Sequence, residues 1–450
     1  MSGKFVTRLF AFAAAMLTAA GAAAATVQRT FVASYGVDTD PCSLTKPCRS
    51  FGAALPLTNF GGDIVTLDSA GYGPVVIDRS ISIIVPSGVY AGVSVNGAQV
   101  DGIVVNITGG GGSVYMRGLQ ISGQGGTNGV RIQQGGKVII ENSSIANFFA
   151  SGNGHAILDN STSPYTELIV RNTVIRDSDA GIVVDGTTGN KPVTIENSFI
   201  TGIFNAPCIA LTDNVNMVVS DTTVSDCNTG FAITQPAASI GYLQLQIERA
   251  TLSRISPGPA VRVQNNANDR SPNVSISDSH VFNTSGISVT NGGNVAIDRS
   301  TIEGCGTPST ACIDVGGAVG YVQVDVTKSE IRRSPGGIRM DLGGTMGGNL
   351  NVVDSRVTQI YPNEAIYLRG NPSGQPLLVA KGSSIANNNK GIVVDSYAQA
   401  HLTTNQIVFN NNGGLIKVSP GTNQYIESSN DNYVTANGGV DAIPVQIPLR

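Results

Sequence analysis

The 450-residue chain has no tryptophan, three histidines and only 13% charged residues. His155, His280 and His401 stand on separate segments, with no carboxylate or second histidine at ligand spacing, so no zinc site is expected. No serine sits in a Gly-x-Ser-x-Gly elbow, and no Ser, His, Asp set assembles from sequence. A formal charge of −4 offers nothing to attract nucleic acid. It also disfavours a polyanionic polysaccharide, unless a local basic groove or a bridging Ca2+ offsets the repulsion. No calcium motif supports that ion, so no cofactor is expected. Beyond the N-terminus no apolar run approaches the ~18 residues of a membrane span. The 55 glycines, with frequent Asn, Ser and Thr, suit short strands and many bends and leave little room for helix.

What is present is a repeat. VIIENSSI at 138–145 returns as VTIENSFI, MVVSDTTV, LQIERATL, VSISDSHV, VAIDRSTI and LNVVDSRV. Its last apolar residue falls at Ile145, Ile175, Ile200, Val224, Leu252, Val281, Ile302, Ile331, Val357, Ile385 and Ile407, intervals averaging about 26 residues, a solenoid period. Within each unit the alternation of Val138 and Ile140 puts apolar side chains on one face of a strand. The polar pair Asn142-Ser143 then shifts the alternation by one, which requires a tight bend whose backbone Asn, Asp and Ser side chains can hydrogen-bond. Nine of the eleven anchors have Ser or Thr two places upstream. One coil cannot bury its apolar face alone, but coils stacked about 4.8 Å apart form a continuous core. The spacing fits neither hexapeptide helices, calcium-binding nonapeptide rolls nor leucine-rich repeats. The expected fold is all-β: a single-stranded parallel β-helix over residues 61–420, twelve or thirteen coils and roughly 55–60 Å long.

Residues 1–25 carry Lys4 and Arg8, an Ala-rich apolar run and Ala23-Ala24-Ala25, the pattern of a secretory signal peptide. Export permits disulfides, and the six cysteines fall into three local pairs: Cys42 with Cys48, Cys208 with Cys227, and Cys305 with Cys312. The first closes a short loop in DPCSLTKPCRS; the other four residues read either as disulfides or as small buried hydrophobes. Residues 26–60 are expected to form this loop and a cap, in which Phe51, Ala54 and Leu55 have helical spacing and cover the first open coil. Residues 421–450 should close the other end, with Pro444 and Pro448 ending strand pairing.

These coils resemble the right-handed parallel β-helices of the pectin-lyase-like superfamily. The opening TFVASYGVDTDPCSLTKPCRSFGAAL and GGDIVTLDSAGYGPVVI are similar to a set of exported bacterial repeat proteins with no established activity. The resemblance implies a periplasmic, extracellular or cell-surface protein. It also implies that strands such as GIVV at 181–184 lie on the face where the superfamily's enzymes build their substrate groove. The enzymes' motifs are not there. No adjacent Asp pair occurs, Gly154-His155-Ala156 and Arg131-Ile132-Gln133 are only partial matches to polygalacturonase motifs, Trp-containing motifs are impossible, and the one Asp-Pro is Asp40-Pro41, followed by Cys42.

That face is therefore read directly, by registering GVRIQQ, GIVVDG, CIALTD, GFAITQ, AVRVQN, GISVTN, CIDVGG, GIRMDL, AIYLRG and GIVVDS, in which every second residue points outward. This register puts Arg131 one coil from Val183. It also clusters Asp314, Arg339, Asp341, Tyr367, Arg369 and Asp395 on one patch. A lyase could take its base and carboxylate-neutralising group from such a set, and a hydrolase two carboxylates about 5–9.5 Å apart. A solvated charge ladder has the same composition. Three classes remain: a silent surface or matrix protein, a carbohydrate-binding protein, and a polysaccharide lyase or glycoside hydrolase. The reading adopted is an exported glycan-binding or structural β-helix with a polysaccharide partner, and the enzyme is the alternative.

Overall fold

A computed structural model describes residues 26–447, apart from 98–99, 110, 151–152, 240, 267–269, 308, 419–422, 430, 440 and 443–444. The leader expected at 1–25 and the strand-ending Pro444 and Pro448 lie outside the described residues. The alternation and bend of each repeat generate three rows of strands. In the first row Lys137–Glu141 pairs with Glu167–Arg171; in the second Ser144–Phe148 pairs with Val174–Ser178; in the third Asn128–Gln134 pairs with His155–Asp159. All three ladders are parallel, and the chain winds through about 13 turns as a parallel β-solenoid with one short helix near its start.

The eleven anchors stack in one unbroken register along the second row, from Ile145 on Ile175 to Ile385 on Ile407. Every one is fully buried. Each contributes roughly 1.5–3 kcal/mol of burial that a single coil could not supply.

The bend works differently from the sequence expectation in one respect. Its first residue adopts a left-handed backbone at every coil: Asn142 (φ 50°), Asn172 (46°), Asn197 (47°) and Asp221 (50°), but also Arg249 (48°), Arg299 (45°) and Lys328 (51°). Asn and Asp tolerate this region; Arg and Lys ordinarily avoid it. The compensation comes from the next residue, except after Arg249, where Ala250 follows. Ser143 Oγ donates to Glu141 O (2.9 Å) within its own coil and accepts from Leu119 N–H (3.2 Å) in the coil before. The pattern then repeats: Ser143 N–H donates to Thr173 Oγ1, Thr173 to Ser198, Ser198 to Thr222, Ser279 to Ser300, Ser300 to Ser329 and Ser329 to Ser355. Asn405 and Asn432 carry the ladder on with amide oxygens at its C-terminal end. Ala250 interrupts it, supplying no hydroxyl to the Thr222 N–H.

The N-terminal end is closed by the single turn Phe51–Ala54, in which Ser50 Oγ accepts from Ala53 N–H (3.2 Å). Phe51 and Ala54 are fully buried and Leu55 nearly so, as their spacing predicts. Strand Val27–Val32, before this cap, joins the first row by pairing with Thr58–Thr66.

Two outcomes follow for stability. Ile302→Asp buries an unpaired charge in the anchor row and should abolish cooperative folding, seen as loss of the β-type circular dichroism signal. Ser300→Ala leaves the buried Ser279 N–H unpartnered and should cost about 1–3 kcal/mol in urea unfolding, whereas Ala250→Ser should add about 0.5–1.5 kcal/mol.

Candidate functional site

The third row positions the residues of interest. Ile313–Gly317, Ile338–Leu342, Glu364–Arg369 and Lys390–Val394 stack in register, aligning Asp314 with Arg339 and Tyr367 in one outward column and Asp341 with Arg369 in the next. Asp395 follows the last of these strands, its N–H donating to Leu368 O (2.8 Å). The six residues expected to cluster do so on one patch.

Most of their polar capacity is engaged with each other. Arg369 forks onto Asp341, with Nε to Oδ1 at 2.7 Å and Nη2 to Oδ2 at 2.8 Å, and Arg339 Nη2 donates to the same Oδ2 at 2.8 Å. Tyr367 Oη donates to Asp395 Oδ2 (2.8 Å), while Asp395 Oδ1 accepts from Ser396 N–H and Oγ. Burial and the Asp395 carboxylate push the Tyr367 phenol well above its ordinary pKa, so it stays protonated and is no base. The Asp341 hydrogen bond raises both guanidinium groups further. Asp314 differs. Desolvation raises its carboxyl against the opposing pull of Arg339, and no hydrogen bond to that carboxyl is seen among the described residues.

Beside this ladder lies a cleft of about 190 Å³. Arg339, Tyr367 and Glu364, the first residue of its strand, line one side; Ser309, Thr310 and Asn363 approach from the connections between second and third rows. Arg339 Nη1 reaches Ser309 O (3.3 Å), and Lys390 Nζ holds Glu364 Oε1 (2.9 Å). The Cys305–Cys312 disulfide closes the loop that carries Ser309 and Thr310, and Cys208–Cys227 pins the same corner between neighbouring coils further back. Cys42–Cys48 closes the N-terminal loop. The sequence reading missed the loop walls because it followed only strand positions; the flanking cysteines marked the loop at 305–312.

One register expectation is corrected. Arg131 does not neighbour Val183: strand His155–Asp159 lies between, with Leu158 paired to Arg131 on one side and to Val183 on the other. Asp159 occupies the inward position that Val184 fills one coil later, and this buried carboxylate breaks the apolar alternation that identifies the other strands. Burial raises its pKa. Nearby, the fully buried Lys191 donates through Nζ to Ser161 O (3.0 Å) and Ser163 O (2.8 Å). That group is closed to solvent and cannot meet a polymer.

Residues 101–241 match the family described as right handed beta helix region. This accords with the pectin-lyase-like resemblance of the chain's coils. Among solved structures it is similar to the pectate lyase Pel9A, at 13% identity and TM-score 0.38, over 73% of this chain and 76% of that one. It is also similar to XylC in complex with xylose, at 10% identity and TM-score 0.39, over 73% and 75%. A Yersinia enterocolitica family 28 exopolygalacturonase aligns at 9% identity and TM-score 0.37, over 93% of this chain and 80% of that chain. No curated protein matches the sequence.

The three disulfides make a direct expectation: alkylation of the unreduced protein should label no cysteine, and peptide mapping should recover the 305–312 pair intact. Cys305→Ser with Cys312→Ser should loosen the cleft wall and cost about 2 kcal/mol.

Proposed function

We propose that this is an exported β-helix protein that binds a polysaccharide in the cleft beside Arg339 and Tyr367. The observation that carries the reading is the cleft itself. A phenol ring, a guanidinium, two hydroxyls, an amide and a carboxylate converge on a space the size of a sugar ring or two, and such mixed donors and acceptors match carbohydrate hydroxyls. The three disulfides fit an oxidising compartment, as the leader pattern does. The ion pairs around Asp341 hold the wall rigid, because a bidentate fork fixes both partners in orientation.

The alternative, a lyase or hydrolase, is favoured by one residue. Asp314 is a carboxyl raised by burial and unclaimed by the ladder, which is the state a general acid requires. Asp341 and Tyr367 are instead each committed to a hydrogen-bonded partner.

Arg339→Ala combined with Tyr367→Ala should abolish binding on a glycan array while costing under about 1 kcal/mol of stability, because both side chains are partly solvent-exposed. Unchanged binding in the folded double variant would return this face to ordinary charged surface. Release of reducing ends or unsaturated products by the parent protein, lost in Asp314→Asn, would establish the enzyme instead.

A further inference from the structure

The first row presents a surface of another chemistry. Its outward column runs Asn216, Gln244, Asn273, Asn294, Gln323 and Asn349, six amides on six successive coils, each paired in register with the next. The neighbouring column is uneven. Gln246 and Asp325 stand on either side of Ser275 and Ala296, so two coils with short side chains lie between coils with long ones. The result is a notch of about 240 Å³ floored by Ser275 and Ala296. Tyr242 and Tyr321, each two residues upstream of its amide, are 59% and 49% exposed and stand three coils apart, about 14 Å, on one border of the notch. Arg270 lies over the Tyr242 ring at 5.5 Å.

We propose that this face is a second carbohydrate site, separate from the cleft of the third row, that takes an uncharged polysaccharide lying along the helix axis. Primary amides offer both a donor and an acceptor to hydroxyl groups without favouring either charge. Their repeat at about 4.8 Å is close to the advance of one pyranose unit in an extended chain. The two tyrosine rings provide flat apolar platforms for sugar faces at the border. Asp325 selects against an acidic polymer. Its Oδ1 is held by Gln323 Nε2 (2.7 Å) and Asn351 Nδ2 (2.6 Å), fixing a negative charge at the end of the notch. Asn294 Nδ2 donates to Asn273 Oδ1 (2.7 Å), so the amide column is already ordered before any ligand arrives.

The test uses the full mature protein and titration calorimetry with cellohexaose, xylohexaose, mannohexaose and hexagalacturonate. At least one neutral hexasaccharide should bind more tightly than the uronate. Ala296→Arg, which fills the notch from an exposed position, and Tyr242→Ala with Tyr321→Ala should each weaken that binding tenfold or more, with circular dichroism unchanged. Arg339→Ala with Tyr367→Ala should leave it within twofold. Binding of none of the neutral probes, or neutral binding that survives Ala296→Arg and is lost in the Arg339 and Tyr367 variant, would overturn the proposal. If Ala296→Arg alters the circular dichroism, the tyrosine pair decides, since both rings lie on the surface.

Discussion

The structure depends on one recurring bond: at every bend from Ser143 to Ser355 except that of Thr222, a backbone N–H donates to the hydroxyl one coil ahead. Strand pairing holds the three rows, and each left-handed residue donates its own N–H across coils, as Asn142 does to Arg171 O (3.1 Å), but the N–H of the residue that follows would otherwise be stranded inside the stack. The Ser or Thr after that residue accepts from one coil and donates within its own, as Ser300 does towards Ser279 N–H (3.1 Å) and Asp298 O (2.8 Å). Coil spacing and bend geometry are thereby tied together. Because the hydroxyl fixes the bend, the left-handed position is released to carry Arg299 or Lys328, and Arg299 forks onto Asp278 across coils.

Once the bends are in step, every outward side chain has a neighbour at a fixed interval, and function becomes a matter of what each column contains. The third row gathers charges that neutralise one another and form the wall of a cleft. The first row gathers amides without net charge and a notch made by two short side chains. The two faces share a scaffold and spacing yet offer different chemistry. A charged, rigid wall suits a ligand with localised polarity, and a repeating neutral column suits a repeating neutral polymer.

Much of this was legible in the sequence. The eleven anchors identify the second row and its register because their burial is uniform and their period is short. The columns around Asp341 followed from the same register. What escaped was whatever departed from alternation. Strand His155–Asp159 was hidden because Asp159 points inward where an aliphatic residue is the rule. The cleft walls at Ser309 and Asn363 were hidden because strand periodicity says nothing of how far a connection rises above its row. The role of the hydroxyls was half visible: their frequency was plain, but that they bond between coils needed the stacked geometry.

Amide hydrogen exchange of the bend residues tests this account most directly. The N–H groups of Ser143, Thr173, Ser198, Ser279, Ser300 and Ser329 lie outside the strand ladders and should nevertheless exchange as slowly as the strand amides around them, while Thr222, facing Ala250, exchanges markedly faster. Rapid exchange at all bends, or a Thr222 amide as protected as the rest, would contradict the claim that the hydroxyl ladder joins one coil to the next.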